Sequence, residues 1–330
     1  MDDLNKFSLD NLDTNQEFNL LKTLSNSELF STVPNIDDNI DDSPYLNTDI
    51  HCKYMDENCF TSKYKNLNSI SYMSLNIQSL HAKFTLFQEF IQNLSKFNCQ
   101  PDVILIQETW QIIDPSYVNL AGYQFIYKTR KSSQGGGVGI YIKEGLRYKI
   151  LDVNSVFIDR IIETLFIELW PSNSNNKKIV IGSVYRPAVN HPTLSSSDQF
   201  LQFLDIFSTM LDGFAGLNDH VLIGGDFNLD ALKYRINHNV TNYIDMLFSY
   251  GFLQLIMKPT RCTIHSATLI DHFISNVRAD LHDTVILTSK LSDHFPIIYI
   301  SKNSKLSLFE LTIYWRSSKT IKNSKNFTSF

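Results

Sequence analysis

From Ile70 onward the chain alternates short apolar runs, rich in β-branched residues, with amphipathic stretches, the texture of a folded domain. Ten runs have strand length and are bounded by Gly, Pro, Asn or charged turns: Ser71–Asn76, Val103–Gln107, Gln124–Tyr127, Val138–Ile142, Thr164–Leu169, Lys178–Tyr185, His220–Asp226, Thr268–Ser275, Thr284–Leu287 and Phe295–Ile300. Three stretches carry apolar residues at helical spacing. These are Ala82–Phe97 (Phe84, Phe87, Ile91, Leu94), Asp198–Phe214 (Phe200, Leu204, Phe207, Leu211, Phe214) and Thr241–Tyr250 (Ile244, Leu247, Phe248), the last followed by Gly251 at a C′ position. Each helix has one apolar face, so each should cover a sheet from outside. Many strands with few peripheral helices predict an α/β fold of two sheets packed face to face and flanked by helices.

Outside this region the pattern dissolves. Residues 1–65 are rich in Asn, Asp and Ser without a sustained period, which predicts an acidic disordered leader ahead of a domain at 66–302. Residues 303–330 read as a basic tail or a truncated linker, with one apolar cluster at Leu306–Trp315. Charge follows the same division: the net value of −5 combines −9 over residues 1–50 with +5 over 301–330, so bulk charge neither shows nor excludes a nucleic-acid partner. The 330 residues are 43% hydrophobic and 12% aromatic, enough for a large core, and no apolar run approaches a membrane span. The Met1–Lys6 segment is acidic and no apolar run follows it, so the expected address is nuclear or cytoplasmic rather than secreted. Four cysteines, Cys52, Cys59, Cys99 and Cys262, form no C-x-x-C pair and read as reduced thiols.

Chemistry-bearing residues recur where predicted strands end. Asn76, Gln107-Glu108-Thr109, Tyr185-Arg186-Pro187, Asp226-Phe227-Asn228, Asp271-His272 and Ser292-Asp293-His294 all follow apolar runs. Singly, each has an ordinary explanation as a cap or turn residue. Together they supply hard oxygen ligands (Glu108, with Asn76, Asp226, Asn228 and Asp293), a histidine beside an acid (His294 and Asp293), and a second acid, Asp271, able to orient it. Oxygen ligands favour Mg²⁺ or Mn²⁺ over zinc. A cation on carboxylates with a His/Asp pair suits phosphodiester hydrolysis, which needs a polarised phosphoryl oxygen, an activated water and a stabilised leaving oxygen.

In their order and spacing these residues resemble the endonuclease/exonuclease/phosphatase superfamily. The Gly135–Ile142, Gly224–Asp230, Lys258–Thr263 and Ser266–His272 blocks are more narrowly similar to the apurinic/apyrimidinic-type endonuclease domain of LINE-type non-LTR retrotransposons, and the Cys52–Phe60 stretch looks like the lead-in to that domain. The resemblance covers roughly residues 70–302. It implies a four-layered sandwich of two packed mixed β-sheets flanked by helices, and Mg²⁺-dependent nicking of DNA. It further implies Glu108 as the main metal ligand, helped by Asn76 and Asp293, and Asp226 handling the attacking water or the leaving oxygen. Asn228 and Tyr185 would contact the phosphate, while Asp271 would hold His294 against a phosphoryl oxygen. Whether one or two ions act is left open by the family itself. The reverse transcriptase that normally follows, with its Tyr-Ala-Asp-Asp hairpin, is absent from the sequence.

Several other features fit plainer roles. The Gly135–Gly139 run precedes a strand and lacks the Lys-Ser/Thr of a phosphate loop, so a hairpin turn is expected. His272 reads as a strand-end residue outside the site. Arg130, Lys131, Arg186, Lys258 and Arg261 stand in loops able to rim the site and meet DNA phosphates, and Trp110 either supports Glu108 or packs. Two rivals share these residues: a phosphoesterase of the same superfamily acting on another phosphoester, and a catalytically silent remnant.

Overall fold

The computed structural model describes residues 52–130, 135–171, 178–215, 219–263, 265–277 and 279–302. Seven strands make the first sheet: β1 (Cys52–Met55), β2 (Ser71–Asn76), β3 (Val103–Gln107), β4 (Tyr123–Lys128), β5 (Val138–Lys143), β15 (His282–Leu287) and β16 (Ile297–Ser301), in the order β1-β15-β16-β2-β3-β5-β4. The second sheet runs β11-β14-β10-β9-β8-β6. Its strands are β6 (Arg147–Ile150), β8 (Ile162–Trp170), β9 (Ile179–Tyr185), β10 (His220–Asp226), β11 (Leu253–Gln254) and β14 (Asp271–Ser275), with β7 (Phe157–Ile158) added on β8. Both sheets are mixed: β2 with β3, β1 with β15 and β9 with β10 are parallel, and the other pairs are antiparallel. A separate two-stranded hairpin joins β12 (Arg261–Cys262) to β13 (Ala267–Thr268).

Strand alternation builds the layers. Met73, Leu75, Ile104 and Ile106 face one way and pack with Phe87, Phe90, Ile91 and Leu94 of helix α2 (Leu80–Ser95). Tyr72, Val103, Leu105, Ile140 and Ile142 face the other way, into a core shared with Phe166, Val180 and Val184 of the second sheet. Helices α3 (Ser196–Ala215) and α4 (His238–Ser249) cover the far face of that sheet, burying Phe203, Phe207, Tyr243 and Leu247. The result is the four-layered α/β sandwich. Within the second sheet β10 runs tight against β9: a Cβ on Gly225 would lie 1.8 Å from the carbonyl oxygen of its register partner Val184, so only glycine fits there.

Several details differ from the sequence reading. The leader was expected to run to residue 65, but β1 and helix α1 (Glu57–Lys63) lie within it, with Cys52 buried in the core between the sheets and Phe60 buried in the cluster that α2 covers. Four residues among Asn, Asp and Lys are too few for periodicity to register. The Thr268–Ser275 strand splits at Leu269–Ile270 into β13 and β14. Helix α2 starts two residues early because Ser79 caps it, accepting from the Ala82 N–H, and α4 starts three early at the Asn237 cap. Phe248 is exposed; Val240 and Tyr243 join Ile244 and Leu247 on the buried stripe. Gly251 has φ +77° just past α4, as expected. The leader up to residue 51 and the tail from 303 lie outside the described residues.

Candidate active site

The topology sends the C-terminal ends of β2, β3, β9 and β10 to one mouth of the sandwich. Parallel pairing sets Asn76 beside Gln107 at the end of the first sheet, and Tyr185 beside Asp226 at the end of the second. Antiparallel β14 begins with Asp271 directly across from Asp226. His294, in the loop before β16, bridges to Arg261 of the hairpin. All eight side chains singled out in the sequence therefore lie along this mouth.

They are wired together. Asn76 Nδ2 donates to Glu108 Oε1 at 3.0 Å and to Asp226 Oδ2 at 2.8 Å, joining the two sheets. Tyr185 OH donates to the same Glu108 oxygen at 3.0 Å, and Trp110 Nε1 to Oε2 at 3.2 Å. Asn228 donates its backbone N–H to Asp226 Oδ1 at 2.9 Å and its side chain to the Arg186 carbonyl at 2.8 Å. His294 Nδ1 bonds both oxygens of Asp271, at 2.9 and 3.0 Å, and Thr260 Oγ1 donates to Asp271 at 2.6 Å. Arg261 grips Asp293 at 2.7 Å. Glu108, Trp110 and Asn228 hold positive φ angles of 52°, 57° and 48°, a concentration of uncommon backbone at one place.

Electrostatics separate the carboxylates. Burial, then the Asp271 charge, push Asp226 up to about 7, against His294 and the donors from Asn76 and Asn228. Burial disfavours a charged His294, but Asp271, Asp226 and Asp293 outweigh it and raise the imidazole to about 9. For Asp293 burial is likewise outweighed, here by His294 and Arg261, which hold it below the usual carboxylate value. Burial, then Glu108 and Asp226, raise the Tyr185 phenol far above its ordinary range, so it remains a donor.

One oxygen or nitrogen each of Asp226, Asp271 and His294 lies within 4.8 Å of the others, an acidic and imidazole cluster able to hold a metal. Its geometry suits proton handling better, since His294 Nδ1 is already committed to Asp271. Glu108 is half-buried and Asp293 is 29% exposed at its side chain, whereas Asp226, Asp271 and His294 are buried. Oxygen donors of this kind fit a hard divalent cation.

A family model, described as the endonuclease/exonuclease/phosphatase family, matches residues 73–294. The chain belongs to that family. Members of this family are phosphoester hydrolases. Comparison with curated proteins gave no match. Among solved structures, the chain is similar to the endonuclease domain of TRAS1, a telomere-specific non-LTR retrotransposon: TM-score 0.52 and 14% identity, covering 72% of this chain and 100% of that one. It is similar to an AP endonuclease from Leishmania major, with TM-score 0.54 and 14% identity over 76% and 96% of the two chains. A 3′ phosphatase from Neisseria bound to a product DNA hairpin matches at TM-score 0.50 and 15% identity, over 70% and 98%. At these identities the likeness establishes the fold.

Within this family fold most of the basic residues expected at the rim have partners in the protein. Arg130 pairs with buried Glu163, Arg261 with Asp293, and Arg186 lies over the Phe200 and Phe203 rings at 5.7 and 5.2 Å. Lys258 lies over Tyr54, and Lys131 is outside the described residues. Gly135–Gly137 form a turn of positive φ ahead of β5. His272 is buried, bonded to Tyr243 at 3.0 Å and stacked on Phe227, outside the site as expected.

Sequence reasoning missed three supporting roles, those of Thr260, Gln107 and Lys83. Thr260 orients Asp271. Gln107, fully buried, donates to Ser183 at 3.0 Å and accepts from Ser74 at 3.2 Å, pinning the sheets just beneath the mouth. Lys83 on α2 is half-buried and feels both Asp293 and Glu108, although burial still lowers its pKa overall. Thr260 and Gln107 lie in quoted motifs and Lys83 in a predicted helix, so their positions were visible, but not their partners.

Proposed function

We propose that the chain is a Mg²⁺- or Mn²⁺-dependent endonuclease that nicks DNA by phosphodiester hydrolysis, of the retrotransposon-derived type. The observation that carries this reading is the convergence of Asn76, Glu108, Tyr185, Asp226, Asn228, Asp271, Asp293 and His294 at one mouth. There, two partly exposed carboxylates, Glu108 and Asp293, join a buried acid and imidazole through shared hydrogen-bond partners and charges. Membership in a family of phosphoester hydrolases, and neighbours named as endonucleases, support the chemistry.

In this reading Glu108, with Asn76 and Asp293 beside it, would hold the cation. When bound, the ion supplies charge to polarise the phosphoryl oxygen and lower the pKa of water. Asp226, poised near neutrality, accepts a proton from the attacking water or returns one to the leaving oxygen. Asn228 and Tyr185 offer N–H and O–H donors to non-bridging phosphate oxygens. Asp271 fixes the ring of His294 so that Nε2, as N–H, points at the oxygen whose charge builds in the transition state. Asp293, carrying the Arg261 guanidinium, keeps that charge balanced.

Two substrates test the proposal side by side: supercoiled plasmid and inositol phosphates, each with Mg²⁺. Relaxed circles are expected, with little turnover of the inositol phosphates. Efficient release of phosphate from the latter without relaxed circles would hand the site to another branch of phosphoesterase chemistry.

A further inference from the structure

One charged pair outside the catalytic set stands out because it is buried and spans both sheets. Glu163 opens β8 with no exposure and sits across from Tyr185 in the β8–β9 ladder. Its Oε1 accepts from Arg130 Nε at 2.6 Å, and the Arg130 Nη2 lies 2.5 Å away. Its Oε2 accepts from the Gly137 N–H at 2.5 Å. Arg130 follows β4 and Gly137, in the Gly135–Gly137 turn, precedes β5 of the other sheet, so a single carboxylate holds both from across the core.

The turn in turn holds the segment after β3. Gly136 carbonyl accepts from the Trp110 N–H at 2.8 Å, and Gly137 carbonyl from the Thr109 N–H at 3.3 Å. Trp110 closes the path by donating Nε1 to Glu108 Oε2. There is no room for slack: a Cβ at Gly136 would strike the Arg130 guanidinium at 2.5 Å, and one at Gly137 the Thr109 hydroxyl at 2.3 Å. The backbone of Glu108, at φ +52°, is thereby pressed from one side by this turn and tied on the other by the Ser79 N–H, which donates to its carbonyl at 2.9 Å. An uncommon conformation at a proposed metal ligand persists only when its surroundings over-determine it.

We propose that Glu163, acting with Arg130, is a positioning residue that sets the Glu108 carboxylate for the divalent cation through the Gly135–Gly137 turn and Trp110. It touches neither substrate nor ion, and the pair's ionic character matters less than the geometry it imposes. The inference rests on the reading of Glu108 as a metal ligand given above. Outer partners of metal ligands characteristically change affinity by roughly tenfold to a hundredfold.

The test is Mn²⁺ binding to the full chain by calorimetry, with thermal unfolding of the same samples. Three proteins are compared: wild type, Glu163→Gln, and the double variant Arg130→Met with Glu163→Leu. Glu163→Gln leaves a buried guanidinium without its counter-charge and is expected to lose stability. The double variant removes both charges and should recover most of that loss. The proposal expects Mn²⁺ affinity at least tenfold weaker in both variants, with the double variant folded and close to wild type in Tm. Wild-type affinity in either folded variant overturns it. So does affinity that recovers in the double variant together with Tm, because the pair would then serve stability alone. Absence of Mn²⁺ binding by the wild type defeats the underlying metal reading itself, and this inference with it.

Discussion

At the scale of single residues, the mouth of the sandwich divides its labour by environment. Asp226 and Asp271 are both nearly inaccessible, yet one is raised towards neutrality while the other accepts from Thr260 and holds a charged imidazole. His294→Ala should leave the fold intact and reduce plasmid nicking by about 10² to 10³, the loss expected for removing the donor proposed for the developing oxyanion. Glu108→Gln should reduce nicking at least as much, and excess Mg²⁺ should not restore it. Relaxed-circle yields with far-ultraviolet circular dichroism on the same samples check both; full activity in either variant would remove that residue from the machinery. His272 belongs to a different problem. Burial lowers it to about 4, against an ordinary value near 6.5, so the folded protein excludes a proton that the unfolded chain accepts. Its contribution is therefore intact above pH 6.5 and fades as pH falls towards 4, by roughly 3 kcal/mol over that window. Urea unfolding midpoints across pH 4–7 should show this loss, and His272→Phe should flatten it; an unchanged acid slope in the variant would assign the loss to other groups.

At the scale of elements, the site is made by strand ends, and its legibility follows from that. Asn76, Glu108, Tyr185 and Asp226 each close an apolar run, so a chemistry-bearing residue after a predicted strand was readable before any contact was known. The partnerships were not readable, because they cross the core. Glu163 stands just ahead of the predicted Thr164–Leu169 strand with nothing in the sequence to mark it, and only packing brings Arg130 and Gly137 to it from another sheet. The partners of the rim arginines were hidden for the same reason: charge in a loop is visible in sequence, whereas its engagement by Asp293, Glu163 or aromatic rings is not. Short elements were hidden by length. β1 has four residues, and the cap at Ser79, rather than periodicity, decides where α2 begins. Ser79→Ala should cost about 1 kcal/mol of stability in denaturant titration without changing the denaturant dependence. Gly225→Ala, which drives a methyl group into the Val184 carbonyl, should prevent accumulation of folded protein.

At the scale of the whole molecule, two sheets packed back to back create one shared edge where residues far apart in the chain meet. Asn76 of the first sheet and Asp226 of the second are 150 positions apart and 2.8 Å from bond to bond. Beneath them Gln107 donates to Ser183, tying the two sheets together under the mouth. The free cysteines Cys52, Cys99 and Cys262 are buried and Cys59 is exposed, so no covalent link is needed to hold this arrangement. Among the described residues no helix is long and apolar enough to cross a membrane. The account stands most directly on where a divalent ion settles, which anomalous diffraction from crystals soaked in Mn²⁺ would reveal. It predicts a peak against Glu108, with Asp293 and Asn76 around it and His294 Nδ1 still bonded to Asp271. A peak elsewhere in the molecule, or none at the mouth under saturating Mn²⁺, would contradict it.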